Sequence, residues 1–364
     1  MNQNWPEWLS LNENIRELKP YGAPQIPAQV RLNTNENPYP LDESLQSKIV
    51  TEISERVSDL NRYPDRDAVA LRTALAEYIN GISRTNFSYE HIWAANGSNE
   101  ILQSIALAFA GDAMGFEPSY SMHPLITKSV GKKWISIARG PEFTFQVDVA
   151  TEAIKTNRPG IVFVTTPNNP TGGSISLGDV AELAKVTLSV GAILVVDEAY
   201  AEFSKENSAV TLIKDYPNLI VSRTMSKAFA FAGARLGYMI SNSTLVEAML
   251  LVRLPYHLSE LTQAAALAAL KNRSALQQQV EQLKQSRDLL IQELIKLGLH
   301  VISSDANFVM FSGFKVSAQE LWQKLVDRDV LIRDVGIPGY LRVTIGTEAE
   351  NKAFLAALQQ ALNS

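Results

Sequence analysis

The 364-residue chain contains no cysteine. This absence excludes disulfide bonds, thiolate metal sites and cysteine nucleophiles, and it fits a protein of a reducing compartment such as the cytoplasm. The four histidines (His91, His123, His257 and His300) are scattered without the spacing of metal ligands, so we expect no metal site. Any chemistry has to come from other side chains.

Long apolar runs and dense basic runs are missing as well. No apolar stretch approaches the roughly 20 residues that span a bilayer. Residues 1–7 have neither the cationic start nor the apolar core of a signal peptide. A net charge of -5 without a basic cluster argues against nucleic-acid binding. With 46% hydrophobic and 20% charged residues, we expect a soluble cytoplasmic protein with one large and one smaller domain.

Two common phosphate-binding fingerprints are absent too. The chain has neither a glycine-rich dinucleotide loop nor a P-loop of the Walker type. The segment 233–237 contains two glycines, but their spacing differs from that of the dinucleotide loop. A phosphate group would therefore need other donors.

The middle of the chain alternates short apolar runs with longer amphipathic ones. We predict strands at 91–94, 161–164, 192–196 and 219–221, and helices at 100–110 and 180–189. Short, continuously apolar strands separated by helices indicate an α/β fold in which a mostly parallel, doubly wound sheet is covered on both faces.

The last third of the chain has a different character. We predict a long amphipathic helix at 274–297, strands at 308–311, 330–332 and 341–345, and helices at 318–328 and 348–362. These elements predict a smaller α+β domain. The expected organisation is an N-terminal arm (1–40) joined to the small domain, a large domain (41–250) and the small C-terminal domain (251–364).

Polar residues directly follow the predicted strands, at 97–100, 168–172, 197–200 and 224–227. Ligands of doubly wound sheets gather at these strand ends. Lys227 supplies an amine that can form a Schiff base with an aldehyde. Thr224, Ser226 and Arg235 supply the hydroxyls and the guanidinium that suit a phosphate. The combination indicates pyridoxal 5'-phosphate.

Other strand ends supply further partners for that cofactor. Asp197 is expected to be buried, either in a structural ion pair or against a protonated pyridine nitrogen. Asn169 and Tyr200 can hydrogen-bond the ring oxygen. Ser98 and Asn99 precede a helix that we expect to start at Glu100, so they act either as ordinary caps or as part of an anion site. Tyr120 can stack on a flat ring.

These motifs resemble a known family. Asn-Pro-Thr-Gly at 169–172, Asp-Glu-Ala-Tyr at 197–200, Ser-Lys at 226–227 and Arg235 occur in the order found in fold-type I pyridoxal-phosphate aminotransferases. The runs at 19–21, 32–38, 62–64, 226–230 and 341–347 are similar to those of the histidinol-phosphate aminotransferase family. The resemblance extends from about Tyr21 to the C-terminus.

The resemblance implies a role for each cofactor-binding residue. Lys227 binds the cofactor covalently and later moves a proton between the substrate and the cofactor. Asp197 holds the ring nitrogen, and Asn169 and Tyr200 hold the ring oxygen. The remaining cofactor contacts are to the phosphate (Ser98, Asn99, Thr224, Ser226 and Arg235) and to the ring face (Tyr120).

The resemblance also implies the substrates and the assembly. The substrates are L-histidinol phosphate and 2-oxoglutarate, and the products are imidazole acetol phosphate and L-glutamate, in histidine biosynthesis. Arg342, assisted by Arg333 and Tyr21, receives the anionic end, because arginines accept phosphate and carboxylate alike. Asn169 also contacts the substrate. Tyr63 reaches the cofactor phosphate of a neighbouring subunit, which implies a homodimer.

Three alternatives stay open at this level. An aromatic amino-acid aminotransferase shares the cofactor residues, although Tyr21 and the Asn-Glu-Asn-Pro run favour the histidinol-phosphate family. A lyase that decarboxylates phosphothreonine uses the same cofactor, and a non-catalytic ligand sensor uses the same fold. His123 stands where many members carry an aromatic residue. We interpret it as a variant of one branch and not as a ligand or a base.

Overall fold

The architecture was obtained as a computed structural model that describes residues 5–363. Residues 1–4 of the predicted arm and Ser364 of the predicted C-terminal domain lie outside the described residues.

The α-helices are α1 (Glu43–Val57), α2 (Val69–Ser83), α3 (Ser98–Ala108), α4 (Met122–Ser129), α5 (Val147–Asn157), α6 (Leu177–Val190), α7 (Ser243–Val252), α8 (Glu260–Lys271), α9 (Ser274–Lys296), α10 (Ala318–Val326) and α11 (Glu348–Asn363). Short 3₁₀ helices span Glu13–Ile15, Tyr89–His91, Pro141–Phe143, Ala201–Phe203 and Ala209–Leu212.

The strands form three sheets. They are β1 (Val30–Arg31), β2 (Ile92–Ala95), β3 (Ala113–Glu117), β4 (Trp134–Ala138), β5 (Ile161–Thr165), β6 (Ile193–Asp197), β7 (Leu219–Thr224), β8 (Gly237–Ser241), β9 (His300–Val301), β10 (Phe308–Ser312), β11 (Val330–Leu331), β12 (Arg333–Asp334) and β13 (Leu341–Thr344). The large sheet has the order β2-β8-β7-β6-β5-β3-β4, and a four-stranded antiparallel sheet has the order β12-β13-β10-β9. β1 pairs in parallel with β11.

The large sheet confirms the predicted α/β class. All its neighbours pair in parallel except β8, which runs antiparallel to both β2 and β7. Successive side chains of a strand point to opposite faces. On β5, Val162 and Val164 belong to one apolar cluster, whereas Ile161 and Phe163 belong to the other. Both faces of the sheet are therefore buried under helices.

Local sequence signals explain where several helices begin. The side chains of Asp42, Ser176, Asn242, Ser259 and Ser317 accept hydrogen bonds from backbone N–H groups in the first turns of α1, α6, α7, α8 and α10. Each cap satisfies a donor that has no partner within the helix. Among the described residues, no helix is both long and apolar enough to cross a bilayer.

The predicted start of α3 was wrong. We expected Glu100 to open the helix, with Ser98 and Asn99 before it either as caps or as part of an anion site, but the helix begins at Ser98 and Gly97 is the N-cap, with φ of 83°. Glycine reaches this backbone conformation without steric cost. Ser98 and Asn99 consequently contribute first-turn N–H groups, which have no partners inside the helix.

Strands β3, β4 and β8 were not predicted. β4 lies at the edge of the sheet and is only partly buried, so its side chains do not form a continuous apolar run. β8 begins at Gly237, directly beneath the turn that opens α3. A Cβ atom at position 237 would lie 2.3 Å from the Ser98 nitrogen and 2.4 Å from the Gly97 carbonyl carbon.

We expect Gly237→Ala to destabilise the cofactor-free protein by about 1–3 kcal/mol, because the added methyl group would meet backbone atoms that cannot move aside. Urea denaturation would measure the change. Gly233→Ala is the matched control, since nothing lies within 4 Å of a Cβ atom there. Equal unfolding midpoints for the two variants would contradict this account of the close approach.

Candidate active site

The predicted polar groups meet at one edge of the large sheet. β2 runs in the same direction as β7 because both are antiparallel to β8, so the carboxyl ends of β2, β5, β6 and β7 lie together. A cavity of about 400 Å³ opens there. Of the predicted site residues, the following line it: Tyr21, Ser98, Asn99, Tyr120, Asn169, Asp197, Tyr200, Thr224, Ser226, Lys227, Arg235, Arg333 and Arg342.

Tyr63 is the one predicted site residue that does not line this cavity. Its side chain is 79% exposed and its ring stacks on Tyr256, with ring centroids 4.3 Å apart. The single chain therefore leaves Tyr63 at its surface, outside its own cavity.

Lys227 lies in the turn after β7, and its amine projects into the cavity. Nζ donates a hydrogen bond to the backbone carbonyl of Thr34 at 2.9 Å. Removal from water, reinforced by the positive charge of Arg342, lowers the pKa of Lys227 to about 8. A substantial fraction of the amine is thus neutral near physiological pH, as a nucleophile or a general base requires.

Asp197 ends β6 and is 2% exposed, as the sequence predicted. Its Oδ2 lies 3.1 Å from Nε2 of His123, which is itself buried and stacked on Phe163. An ionised carboxylate can only accept hydrogen bonds, so this contact requires a proton on Nε2. Oδ1 of Asp197 has no hydrogen-bond partner in residues 5–363. A buried carboxylate oxygen in a cavity wall calls for a donor from a ligand.

An anion site lies at the start of α3. The guanidinium of Arg235 packs against the Cα atom of Gly97 so closely that a Cβ atom there would be 2.6 Å from Nη2. The first-turn N–H groups of Ser98 and Asn99 point from the positive end of the helix dipole. A phosphate held here would be met by backbone donors and a guanidinium together.

Two hydroxyls extend that anion site from the neighbouring strand. Oγ1 of Thr224 donates to Oγ of Ser226 at 3.0 Å and accepts from the Ser226 backbone N–H at 3.2 Å. Both side chains are buried and line the cavity. Tyr120 closes the same region, since its hydroxyl donates to Oδ1 of Asn99 at 3.1 Å.

Asn169 and Tyr200 also line the cavity. The turn that carries Asn169 is closed by two backbone bonds, from Gly172 N–H to the Asn168 carbonyl at 2.6 Å and from Asn168 N–H to the Gly173 carbonyl at 2.8 Å. Nδ2 of Asn169 donates to the Tyr200 hydroxyl at 3.4 Å. The residues expected to contact one ring oxygen are therefore adjacent.

Two arginines form a further part of the cavity wall. Arg333 and Arg342 lie opposite each other on β12 and β13. Arg342 is 6% exposed. It donates hydrogen bonds to the backbone carbonyl of Asn33 at 2.9 Å and to Oδ1 of Asn169. Its Nε has no hydrogen-bond partner in residues 5–363. No carboxylate among those residues forms a salt bridge with either arginine. Burial lowers the pKa of Arg342 to about 10. Because no carboxylate of residues 5–363 pairs with this buried cation, an anionic ligand would supply its counter-charge.

The sequence analysis missed several contributors. Thr34 and Asn35 line the cavity and bond Lys227 and Tyr200. His123, which we had interpreted as a branch variant, contacts the buried Asp197. The sequence feature that could have identified His123 is its position three residues after Tyr120. This spacing places both residues on one side of the chain segment that opens α4. The contact itself depends on the sheet, which brings β6 beside α4.

The residues fit the expected cofactor. Asp197 Oδ1 offers an acceptor for a pyridinium N–H, the bare Cα of Gly97 lets the Arg235 guanidinium lie against the turn that opens α3, and Lys227 offers an amine of lowered pKa.

Comparison with known proteins identifies the family. The sequence model of the family described as aminotransferase class I and II matches residues 27–358. Histidinol-phosphate aminotransferase of Mycolicibacterium smegmatis is 52% identical over 96% of this chain and 92% of its own length. The protein of the same name from Rhodococcus opacus is 53% identical over 96% of this chain and 92% of its own length.

A solved structure agrees in fold. Histidinol-phosphate aminotransferase from Sinorhizobium meliloti, crystallised with pyridoxal 5'-phosphate, superimposes with a TM-score of 0.85 at 23% identity, covering 97% of this chain and 98% of that one. The chain therefore belongs to the aminotransferase class I and II family, and its relatives at about half identity are histidinol-phosphate aminotransferases.

Proposed function

We propose that this chain is a pyridoxal-phosphate-dependent histidinol-phosphate aminotransferase. It transfers the amino group of L-histidinol phosphate to 2-oxoglutarate and forms imidazole acetol phosphate and L-glutamate in histidine biosynthesis. The observation that carries the proposal is a pair of arginines, Arg333 and Arg342, that form no salt bridge within residues 5–363 and share one cavity with the amine of Lys227. The relatives at 52–53% identity support the same substrate.

When bound, pyridoxal 5'-phosphate supplies an electron sink for the negative charge that develops on the substrate's α-carbon. Asp197 accepts the ring N–H with its free Oδ1, and His123 holds the carboxylate in place through Oδ2. The N–H groups of Ser98 and Asn99, with the side chains of Thr224, Ser226 and Arg235, hold the phosphate, and Tyr120 covers the ring.

Lys227 has two roles in this proposal. It would hold the cofactor covalently through the cofactor's aldehyde group. Its amine would also hold and move the proton of the substrate's α-carbon, since it lies in the cavity that would receive the substrate. The pKa of about 8 suits both roles, because a general base works best when its pKa lies near the working pH.

The arginine wall explains how one site accepts two different substrates. L-Histidinol phosphate carries a phosphate and no carboxylate, whereas 2-oxoglutarate and L-glutamate carry carboxylates. Guanidinium groups present paired donors that match both kinds of anion. Arg342, with Arg333 and Tyr21 beside it, can therefore bind the anionic end in each half-reaction, and Asn169 contacts both Arg342 and Tyr200.

A homodimer completes the proposed site. Exposed apolar side chains lie near Tyr63 in the chain (Val57 and Leu60) and near its stacking partner Tyr256 (Leu251 and Leu254), with Leu251 87% exposed. Exposed apolar patches of this kind mark protein contacts. We infer that this surface is covered by a second copy and that Tyr63 reaches the partner's cofactor phosphate.

The proposal includes the expected organisation of the chain, an arm (1–40), a large domain (41–250) and a small domain (251–364). Pairing of β1 with β11 supports the link between the arm and the C-terminal domain. A cytoplasmic location belongs to the same proposal, because phosphorylated metabolites and 2-oxoglutarate are charged and do not cross bilayers unaided.

The substrate assignment is tested by kcat/KM for glutamate formation from 2-oxoglutarate with L-histidinol phosphate, phenylalanine or tyrosine as amino donor. We expect L-histidinol phosphate to be preferred by at least about a hundredfold, since its phosphate offers the two arginines more negative charge and more acceptor oxygens than the single carboxylate of an aromatic amino acid. Equal or better use of the aromatic amino acids would move the protein to aromatic amino-acid metabolism.

The lowered pKa of Lys227 predicts how cofactor capture depends on pH. The rate at which the cofactor-free enzyme combines with pyridoxal 5'-phosphate should rise with pH and level off above a midpoint near 8, because only the neutral amine attacks the aldehyde. Stopped-flow absorbance would follow the reaction. In Arg342→Gln the midpoint should move upward, as a neighbouring positive charge is lost. A midpoint near 10.5, the ordinary value, would contradict the description of this site.

Sharing of sites across a dimer can be tested by mixing Tyr63→Ala with Lys227→Ala, each of which should have little activity alone. After subunit exchange, the hybrid contains one site with both residues intact. Random exchange should restore about a quarter of wild-type activity. Exchange would be verified with differently tagged subunits, and failure to recover activity after verified exchange would refute the role of Tyr63.

A further inference from the structure

Asn35 is a buried residue in the loop that follows β1. It is 1% exposed and has φ of 55°, a left-handed conformation that asparagine tolerates better than most residues. The neighbouring Thr34 accepts the hydrogen bond of Lys227. The loop thus lies in the cavity wall, beside the groups that the proposed mechanism uses.

Asn35 is bound tightly to the four-stranded sheet. Its backbone N–H donates to Oγ1 of Thr344 at 3.0 Å, and its carbonyl accepts from Nδ2 of Asn307 at 3.1 Å. Its side-chain Oδ1 accepts from Oγ1 of Thr344 at 3.1 Å. The single hydroxyl proton of Thr344 has no other acceptor in residues 5–363. The amide is therefore oriented with its oxygen toward Thr344 and its NH₂ group toward the cavity wall.

That NH₂ group points at Tyr200. Nδ2 of Asn35 donates to the Tyr200 hydroxyl oxygen at 2.9 Å. The rest of the Asn35 side chain is held by Thr344, so the amide cannot turn over without losing the threonine bond. Asn35 consequently presents a fixed donor to the phenolic oxygen.

Asn169 presents a second donor to the same oxygen. Arg342 donates to Oδ1 of Asn169, and a guanidinium has no acceptor, so the amide oxygen of Asn169 must face Arg342. Its Nδ2 is thereby directed to the Tyr200 hydroxyl, 3.4 Å away. The orientation of this amide follows from the chemistry of its arginine partner.

Tyr200 therefore receives hydrogen bonds from both amides. A phenol has one proton to donate, and burial raises the pKa of Tyr200 to about 12, so the proton stays on the oxygen. Within residues 5–363 the Tyr200 hydroxyl donates to no protein acceptor. With both neighbours acting as donors, the proton can be directed only into the cavity that Tyr200 lines.

We propose that Asn35 is a positioning residue that makes Tyr200 a hydrogen-bond donor to the ring oxygen of the cofactor. The identity of that ligand rests on the proposed function. Because Asn35 is fixed by Thr344 and Asn307, the donor direction of Tyr200 depends on the four-stranded sheet, which also carries the substrate-binding Arg342.

The test compares binding of two ligands to the cofactor-free protein by calorimetry at pH 8. They are pyridoxamine 5'-phosphate, which cannot combine covalently with Lys227, and its analogue without the ring hydroxyl. Wild type should prefer the hydroxyl-bearing ligand by at least about tenfold, since the analogue lacks the ionised oxygen that accepts the hydrogen bond of Tyr200. In Asn35→Asp, a carboxylate of the same shape accepts the Tyr200 proton, and the preference should fall towards one.

Asn37→Asp is the matched control. It introduces the same charge two residues away, where the side chain accepts from the Tyr39 backbone and approaches Gln279 without touching Tyr200. It should keep the wild-type preference. Asn35→Gly, which retains access to the left-handed conformation, provides a second variant if Asn35→Asp does not fold, and its preference should also drop.

The outcomes separate this inference from the proposed function. If wild type discriminates between the ligands and a folded Asn35 variant discriminates equally well, the role of Asn35 is refuted and the proposed function stands. If wild type binds neither ligand, the proposed function fails and the inference fails with it. A loss of preference that Asn37→Asp reproduces would assign the effect to charge and would also overturn the role of Asn35.

Discussion

The buried carboxylate of Asp197 is the constraint on which the rest of the site depends. It sits at the end of a strand inside a sheet covered on both faces, where an ionised group is costly unless every oxygen has a partner. His123 donates a hydrogen bond to one carboxylate oxygen, Oδ2. The other oxygen, Oδ1, has no partner within residues 5–363, and Asp197 lines the cavity. The site is therefore prepared for a ligand with a positively charged or strongly donating N–H group, and the remaining contacts are arranged around that point.

Successive side chains at the ends of β6 and β7 point in alternate directions, which explains how the cavity-lining groups are supported. Asp197 and Thr224 line the cavity, whereas their chain neighbours Glu198 and Arg223 do not and form a buried ion pair at 2.8 Å behind it. Arg223 also reaches Glu202 at 2.9 Å. Removing one member of such a pair leaves an uncompensated buried charge, so the pair fixes the ends of β6 and β7 against each other. The cofactor contacts and the structural contacts are thus alternate side chains of the same strands.

Hydrogen-bond direction connects the two sheets. Arg342 can only donate, which fixes the amide of Asn169, and Thr344 fixes the amide of Asn35. Both amides then donate to Tyr200. A chain of groups with assigned donors and acceptors thereby extends from the arginines to the site of the proposed cofactor. The arginines themselves lie opposite each other without carboxylate partners among residues 5–363, which leaves the substrate to supply the negative charge.

The sequence by itself determined the α/β class and the strands β2, β5, β6 and β7, because fully buried parallel strands read as short apolar runs with polar residues after them. It also identified thirteen residues that line one cavity. Those that follow the strands could be placed together because strand ends of one direction share an edge, whereas Tyr21, Arg333 and Arg342 came from the family resemblance. It did not determine where α3 begins, because a glycine N-cap with positive φ looks like any other glycine in a sequence. The contacts of His123 with Asp197 and of Asn35 with Tyr200 join positions 74 and 165 residues apart. Only the tertiary structure decides such pairs, because they depend on which segments the packed sheets bring together and on how each side chain's donors and acceptors are already used.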